Sequence, residues 1–271
     1  MRPWNTFAVG MSLLPNYRIY GDSGPAVYIL HGIFGMLDNW HYAAGILSKN
    51  YRVITFDARN HGRSFHDEDA SFEAMSEDLK HLMHHLGDEK AMIVGHSMGG
   101  KTAMQFAEKY PEMMQGLIVV DIAPKAYPAG HGDYFRAFRD IDFSTVQSRK
   151  EAELLFEPYA PDASVRQFLL KNLEPIAGGG YRLKININAL EKHYPDIIGD
   201  LHLSRGFAGP ALFIRGEKSG YIKDSDMNNI LNFFPNASLK TIPAAGHWVH
   251  ADNPAAFISN ISDFIVAHSP V

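Results

Sequence analysis

Ala91-Met92-Ile93-Val94-Gly95-His96-Ser97-Met98-Gly99 is the stretch that decides how this chain folds. Residues 91–94 are apolar and read as a short strand. Residues 98–110 read as a helix closed by Pro111. Between them lies Gly-x-Ser-x-Gly, which has mechanical meaning only at a sharp strand-to-helix turn. There a serine is held in a strained backbone, and glycines on either side remove Cβ atoms that would collide. Its hydroxyl stands above the sheet, at the positive end of the following helix. A chance Gly/Ser loop would need neither the strand before nor the helix after, so Ser97 is a candidate nucleophile.

The pattern repeats outward from this turn. Strands are expected at 17–20 and 26–30, separated by Gly21-Asp22-Ser23-Gly24-Pro25. A helix is expected at 39–48 and a strand at 51–56, ending at Asp57. Met75, Leu79, Leu82, Met83 and Leu86 give helical spacing over 72–86, with Gly87 as its stop. A further apolar strand, 117–120, ends at Asp121. The alternation then breaks: residues 122–207 read as helices and loops, punctuated by prolines and Gly178-Gly179-Gly180. It resumes with strands at 211–214 and 238–242 and helices at 226–233 and 255–267. Apolar strands alternating with amphipathic helices imply a mostly parallel sheet with helices on both faces. Residues 1–121 and 208–271 would form this α/β core. Residues 122–207 would be a helical cap inserted over the sheet's carboxyl edge, where open α/β sheets place ligands.

Composition narrows the function. A chain of 271 residues with 46% hydrophobic residues and a net charge of −5 is expected to be globular, and gives no basic face for nucleic acid. The absence of cysteine excludes disulfides, a thiolate nucleophile and cysteine metal sites. No H-E-x-x-H motif and no G-x-G-x-x-G after a strand is present, so neither a metal nor a dinucleotide is expected. No apolar run reaches the ~20 residues of a membrane span. The first residues lack a signal-peptide pattern; Met11 is a possible start, with residues 1–10 upstream of the native chain, and a cytoplasmic location is the default. The oligomeric state is not legible.

Two further loops carry chemistry. His31-Gly32-Ile33-Phe34-Gly35 follows strand 26–30 directly. Acyl transfer needs backbone N–H groups aimed at the developing oxyanion; those of Met98 and Ile33 are the candidates, with Phe34 the neighbouring alternative for the latter. His31 reads as a structural hydrogen-bonder. Gly246-His247-Trp248 lies in a late glycine-flanked loop, where the base of the chain order Ser, acid, His belongs. His247 is the candidate base, and His250 its nearest competitor. Asp57 and His61, in Asp57-x-Arg59-Asn60-His61-Gly62-x-Ser64, read as loop ties.

Together with Gly95-His-Ser-Met-Gly-Gly100 and Gly246-His-Trp-x-His-x-Asp-x-Pro254, these stretches resemble the α/β-hydrolase superfamily across essentially the whole chain. Val119-Val120-Asp121-Ile122-Ala123-Pro124 and the stretch from His31 to Trp40 look most like small bacterial esterases and acyl-CoA thioesterases. The resemblance implies hydrolysis of carboxylic esters or acyl thioesters, a small-molecule substrate and no cofactor.

The acid departs from the common pattern. Ser219 stands where an Asp is usual after the strand at 211–214, and a hydroxyl cannot stabilise an imidazolium as a carboxylate does. Asp121, ending the neighbouring strand, can reach the same edge, and the resembled esterases suggest that role for it. Glu217, Asp224 or a Ser–His dyad are the alternatives. Phe34, Trp40, Phe135 and Trp248 are candidates for an acyl pocket, and Lys125, Arg136 and Arg139 for contact with a CoA phosphate. A C–C bond hydrolase, a perhydrolase, or a non-catalytic small-molecule receptor could use the same scaffold. An epoxide hydrolase or dehalogenase is disfavoured because the elbow carries Ser.

Overall fold

Unbroken runs such as Ala26–Leu30 and Ala91–His96 are buried at every position, so they need cover on both faces. The structure, a computed structural model, describes residues 13–269. The readings of residues 1–10 and of Met11 as a start fall outside the described residues. Its strands are β1 (Tyr17–Tyr20), β2 (Ala26–Leu30), β3 (Arg52–Phe56), β4 (Ala91–His96), β5 (Met114–Val120), β6 (Leu173–Pro175), β7 (Tyr181–Leu183), β8 (Ala211–Gly216) and β9 (Ala237–Ile242). Its helices are α1 (His41–Leu47), α2 (Phe72–Leu86), α3 (Met98–Lys109), α4 (Gly132–Asp140), α5 (Arg149–Phe156), α6 (Ala163–Leu170), α7 (Ile187–Lys192), α8 (Tyr194–Ile198), α9 (Met227–Phe233), α10 (Val249–Asp252) and α11 (Pro254–His268).

Seven strands form one sheet in the order β1-β3-β2-β4-β5-β8-β9. β1 pairs antiparallel with β3, and the other pairings in this sheet are parallel. Alternate residues divide the core in two. Tyr28, Leu30, Ile93, Leu117, Val119 and Phe213 pack with α2, α3 and the insertion. Val27, Ile29, Met92, Val94, Ile118, Val120 and Ile214 pack with α1 and α11.

The order reverses between β2 and β4: the chain leaves β2 for β3 on one side, and β4 for β5 on the other. Such a switch opens a crevice at the strands' carboxyl ends. The register aligns those ends, pairing Leu30 with Gly95, His96 with Val120, and Val120 with Ile214.

Local signals explain the elements. Ser71 Oγ caps α2 by accepting from Ala74 N–H, and Gly87 ends it at φ +76°, which suits glycine. β5 begins at Met114, earlier than the expected 117: Gln115 and Gly116 interrupt the apolar run, and the register with β4 shifts there, from Ala91 opposite Met114 to Met92 opposite Gly116, but the strand continues. The insertion also holds an antiparallel hairpin, β6–β7, which the sequence did not indicate. Its strands are three residues each, one ending in Pro175, so no periodicity could show. Gly178, Gly179 and Gly180 make its turn at positive φ.

Among the contacts that join residues 122–207 to the rest of the chain, two involve α3 and the loop after β2. The fully buried Lys101, on α3, donates to the carbonyls of Ile197 and Gly199 at the end of α8. Asn172 Nδ2 donates to the Phe34 carbonyl at 2.8 Å. Arg59 forms a two-pronged buried ion pair with Asp78 of α2, at 2.7 and 2.8 Å.

Candidate active site

Ser97 sits between β4 and α3 at φ +53°, ψ −118°, a backbone that a non-glycine residue adopts only where its surroundings hold it. The glycines around it are required by close approach. A Cβ on Gly95 would lie 2.2 Å from the Gly99 carbonyl oxygen, and one on Gly99 would lie 2.6 Å from those of Leu30 and His31. The Ser97 N–H donates to the Val120 carbonyl at 3.1 Å, so the elbow is tied to β5.

The loop after β2 comes equally close. A Cβ on Gly32 would stand 3.2 Å from Ser97 Cβ. The next two N–H groups differ. Phe34 N–H donates to His61 Nε2 at 3.3 Å, and His61 Nδ1–H donates to the Arg59 carbonyl at 3.0 Å. Ile33 N–H has no hydrogen-bond acceptor among the described residues. Met98 N–H, at the first turn of α3, has no intrahelical partner by position. His31 is a loop tie: Nε2 accepts from Ala58 N–H, and Nδ1–H donates to the Gly32 carbonyl. Asp57 also ties loops, accepting from Asn16, Leu37 and Arg63.

Asp121 directly follows β5, is fully buried and also has positive φ, +53°. Its Oδ1 accepts from Gly216 N–H at 3.1 Å, and its Oδ2 lies 2.8 Å from His247 Nδ1. The Ser219 hydroxyl donates to the same Oδ2, and Ser219 Oγ accepts from Tyr221 N–H at 3.2 Å. The other two carboxylates lie elsewhere. Glu217 accepts from Ala244 N–H at 2.8 Å, and Asp224, almost fully exposed, pairs with Arg215 at 2.7 Å.

The His247 ring is held on two sides. Tyr221 stacks on it with ring centroids 3.9 Å apart and planes 16° apart. His96 Nε2–H donates to its carbonyl at 2.9 Å. Burial, with His247 and His250 facing it, holds the His96 imidazole well below its ordinary range, so it is neutral. His250, the competing base, is half-buried and stacks on Trp40 at 4.1 Å; desolvation pushes its imidazole down to about 3.

Ser97 and His247 open into a cavity of about 800 Å³ between the sheet edge and the insertion. Phe34, Trp40, Tyr134 and Trp248 line it, joined by His131, Val165, Phe168 and Tyr221, which sequence reasoning had not assigned to it. Phe135 does not line it. Its ring is buried behind Phe34, 5.0 Å away, and faces Tyr194. Helical spacing identified its inward face but not the layer it occupies. The three cations considered for a CoA phosphate are also off the cavity and already paired: Lys125 with Asp226, Arg136 with Asp133, Arg139 with Glu191. No described helix is long and apolar enough to cross a membrane.

The chain belongs to the α/β-hydrolase fold family, whose pattern matches residues 25–254. It is 39% identical to the sn-1-specific diacylglycerol lipase ABHD11 of Mus musculus over 89% of this chain and 81% of that protein. It is 34% identical to esterase YbfF of Escherichia coli K12 over 88% of this chain and 92% of the other. Among solved structures, a marine microorganism esterase superposes with a TM-score of 0.91 at 42% identity, covering 93% of this chain and all of that one.

Proposed function

We propose that this chain is a serine hydrolase that cleaves carboxylic esters, and acyl thioesters by the same route, through an acyl-enzyme. Ser97 Oγ attacks the acyl carbonyl while His247 takes its proton. Asp121 holds the imidazole with Nδ1 protonated and offsets the charge that forms on it. The N–H groups of Ile33 and Met98 receive the oxyanion. His247 then protonates the departing alcohol or thiol, and in the second half activates the water that releases the acid. Residues 122–207 act as a cap that shapes the acyl and alcohol sites. The preferred acyl chains are short to medium in length.

The observation that carries this reading is the 2.8 Å contact of His247 Nδ1 with buried Asp121, beside a serine in a strained elbow that opens into the same cavity. The esterase and lipase relatives support hydrolysis of esters. The free Ile33 N–H beside the engaged Phe34 N–H supports Ile33 as the donor. The test is a panel of p-nitrophenyl esters and acyl-CoAs of graded length, assayed with wild type and Ser97→Ala. Hydrolysis that depends on Ser97 supports the reading; absence of hydrolysis across the panel overturns it.

A further inference from the structure

His131 lies on the cap side of the cavity, and its hydrogen bonds fix where its proton sits. The N–H groups of Gly130 and His131 both donate to the phenol oxygen of Tyr194, each at 3.1 Å. A phenol oxygen has two acceptor positions and one proton. With both acceptor positions filled, its 2.7 Å contact with His131 Nδ1 is O–H donating to Nδ1. His131 Nδ1 is therefore unprotonated, and the ring proton of the neutral imidazole is on Nε2. Burial pushes this imidazole down to about 4, so it is neutral at physiological pH. No group among the described residues accepts from Nε2. The ring is 6.0 Å from that of Phe34, the residue next to the proposed oxyanion donor Ile33.

We propose that His131 is a specificity-determining residue: its Nε2–H donates to a second oxygen of the substrate, a hydroxyl, ether or carbonyl oxygen near the scissile ester. The preferred substrates are then oxygen-bearing esters rather than plain hydrocarbon esters. A fixed donor flanked by the rings of Phe34 and Tyr134 discriminates strongly. It gains a partner from the oxygenated ester and stays unpaired with the methylene analogue. This inference rests on the ester-hydrolase reading of the site and adds the substrate class to it. The chemistry does not depend on which side carries the oxygen, so both sides are tested.

The experiment compares kcat/KM for matched pairs of esters in wild type and His131→Phe. One pair differs in the acyl group, an alkoxyacetyl ester against the alkanoyl ester of equal length. The other differs in the alcohol, a glyceryl ester against an alkyl ester of the same acid. Each ratio is internal to one enzyme preparation, so intrinsic reactivity and partial misfolding cancel. The preference for oxygen is expected to fall about tenfold or more in His131→Phe, in the arm whose oxygen meets Nε2. Unchanged ratios in both arms overturn the proposal while leaving the hydrolase reading intact. Wild type inactive on every ester overturns both. Independently of turnover, ¹⁵N NMR of the histidine rings is expected to show His131 protonated at Nε2 and not at Nδ1 near pH 7. The reverse assignment overturns the proposal.

Discussion

Ser219 donates its hydroxyl proton to Asp121 Oδ2, the same oxygen that lies 2.8 Å from His247 Nδ1. The serine in the usual place of the acid thus braces the carboxylate on the neighbouring strand. Ser219→Ala removes one hydrogen bond to a charged acceptor, an effect of about 1.5–3 kcal/mol. The expected outcome is a roughly 10-fold or greater fall in kcat. Ser219→Asp is expected to be worse, because two carboxylates would then compete at one buried position. Steady-state assays of both variants check this, and a Ser219→Ala enzyme with unaltered kcat would remove the hydroxyl from the account.

Asp121→Asn should retain the fold and lose about 10⁴ in kcat, since an amide supports the wrong imidazole tautomer and supplies no charge. Glu217→Gln and Asp224→Asn should stay near wild type, because their carboxylates bind Ala244 and Arg215 instead. The three variants are assayed together, with circular dichroism as a folding control. A crippled Glu217→Gln or Asp224→Asn beside an active Asp121→Asn would reassign the acid.

Acid should destabilise the protein through histidines that the fold desolvates. His61 and His250 are pushed down to about 3, and His131 to about 4, from an ordinary 6.5, each first by burial. Between those values the unfolded chain binds more protons than the folded one, so stability rises with pH. The contribution is complete above about pH 6.5 and is lost as pH falls towards 4. Each group adds up to about 1.4 kcal/mol per pH unit in that window. His250→Phe keeps a ring against Trp40 and should flatten the curve by about one proton. Urea melts at pH 7, 6, 5 and 4 read this directly; a slope identical to wild type contradicts it.

The two layers of aromatic rings over the site should respond differently. Phe168→Ala and Trp248→Ala change the cavity wall itself and are expected to shift the acyl-length optimum upward. Phe135→Ala acts behind Phe34 and should cost about 3–5 kcal/mol of stability with a smaller change in the length profile. Melts and a p-nitrophenyl ester series separate the two effects. An equal shift in length profile from Phe135→Ala would put its ring at the wall.

What could be read from the sequence was local. Gly95, Gly99 and the strand before them specify the elbow because each requirement acts within a few residues. Asp121 was legible as a strand end, but its approach to His247 spans 126 residues and is a property of sheet register. The pairing of Arg139 with Glu191 spans 52 residues, and that of Lys125 with Asp226 spans 101, so surface cations looked free in the sequence. His131 and Tyr194 are 63 residues apart in a segment without strong periodicity. The hairpin at 173–183 was too short to announce itself, and the depth of Phe135 depends on helices whose packing the sequence does not encode locally.

The central claim is that Ser97 is the nucleophile, driven by His247. The most direct measurement is intact-protein mass spectrometry after incubation with diethyl p-nitrophenyl phosphate, followed by peptide mapping. One diethylphosphoryl group is expected, on Ser97, with full loss of esterase activity and no labelling of Ser97→Ala. His247→Gln should label far more slowly. A label on any other residue, or equal labelling of Ser97→Ala and wild type, would contradict the account.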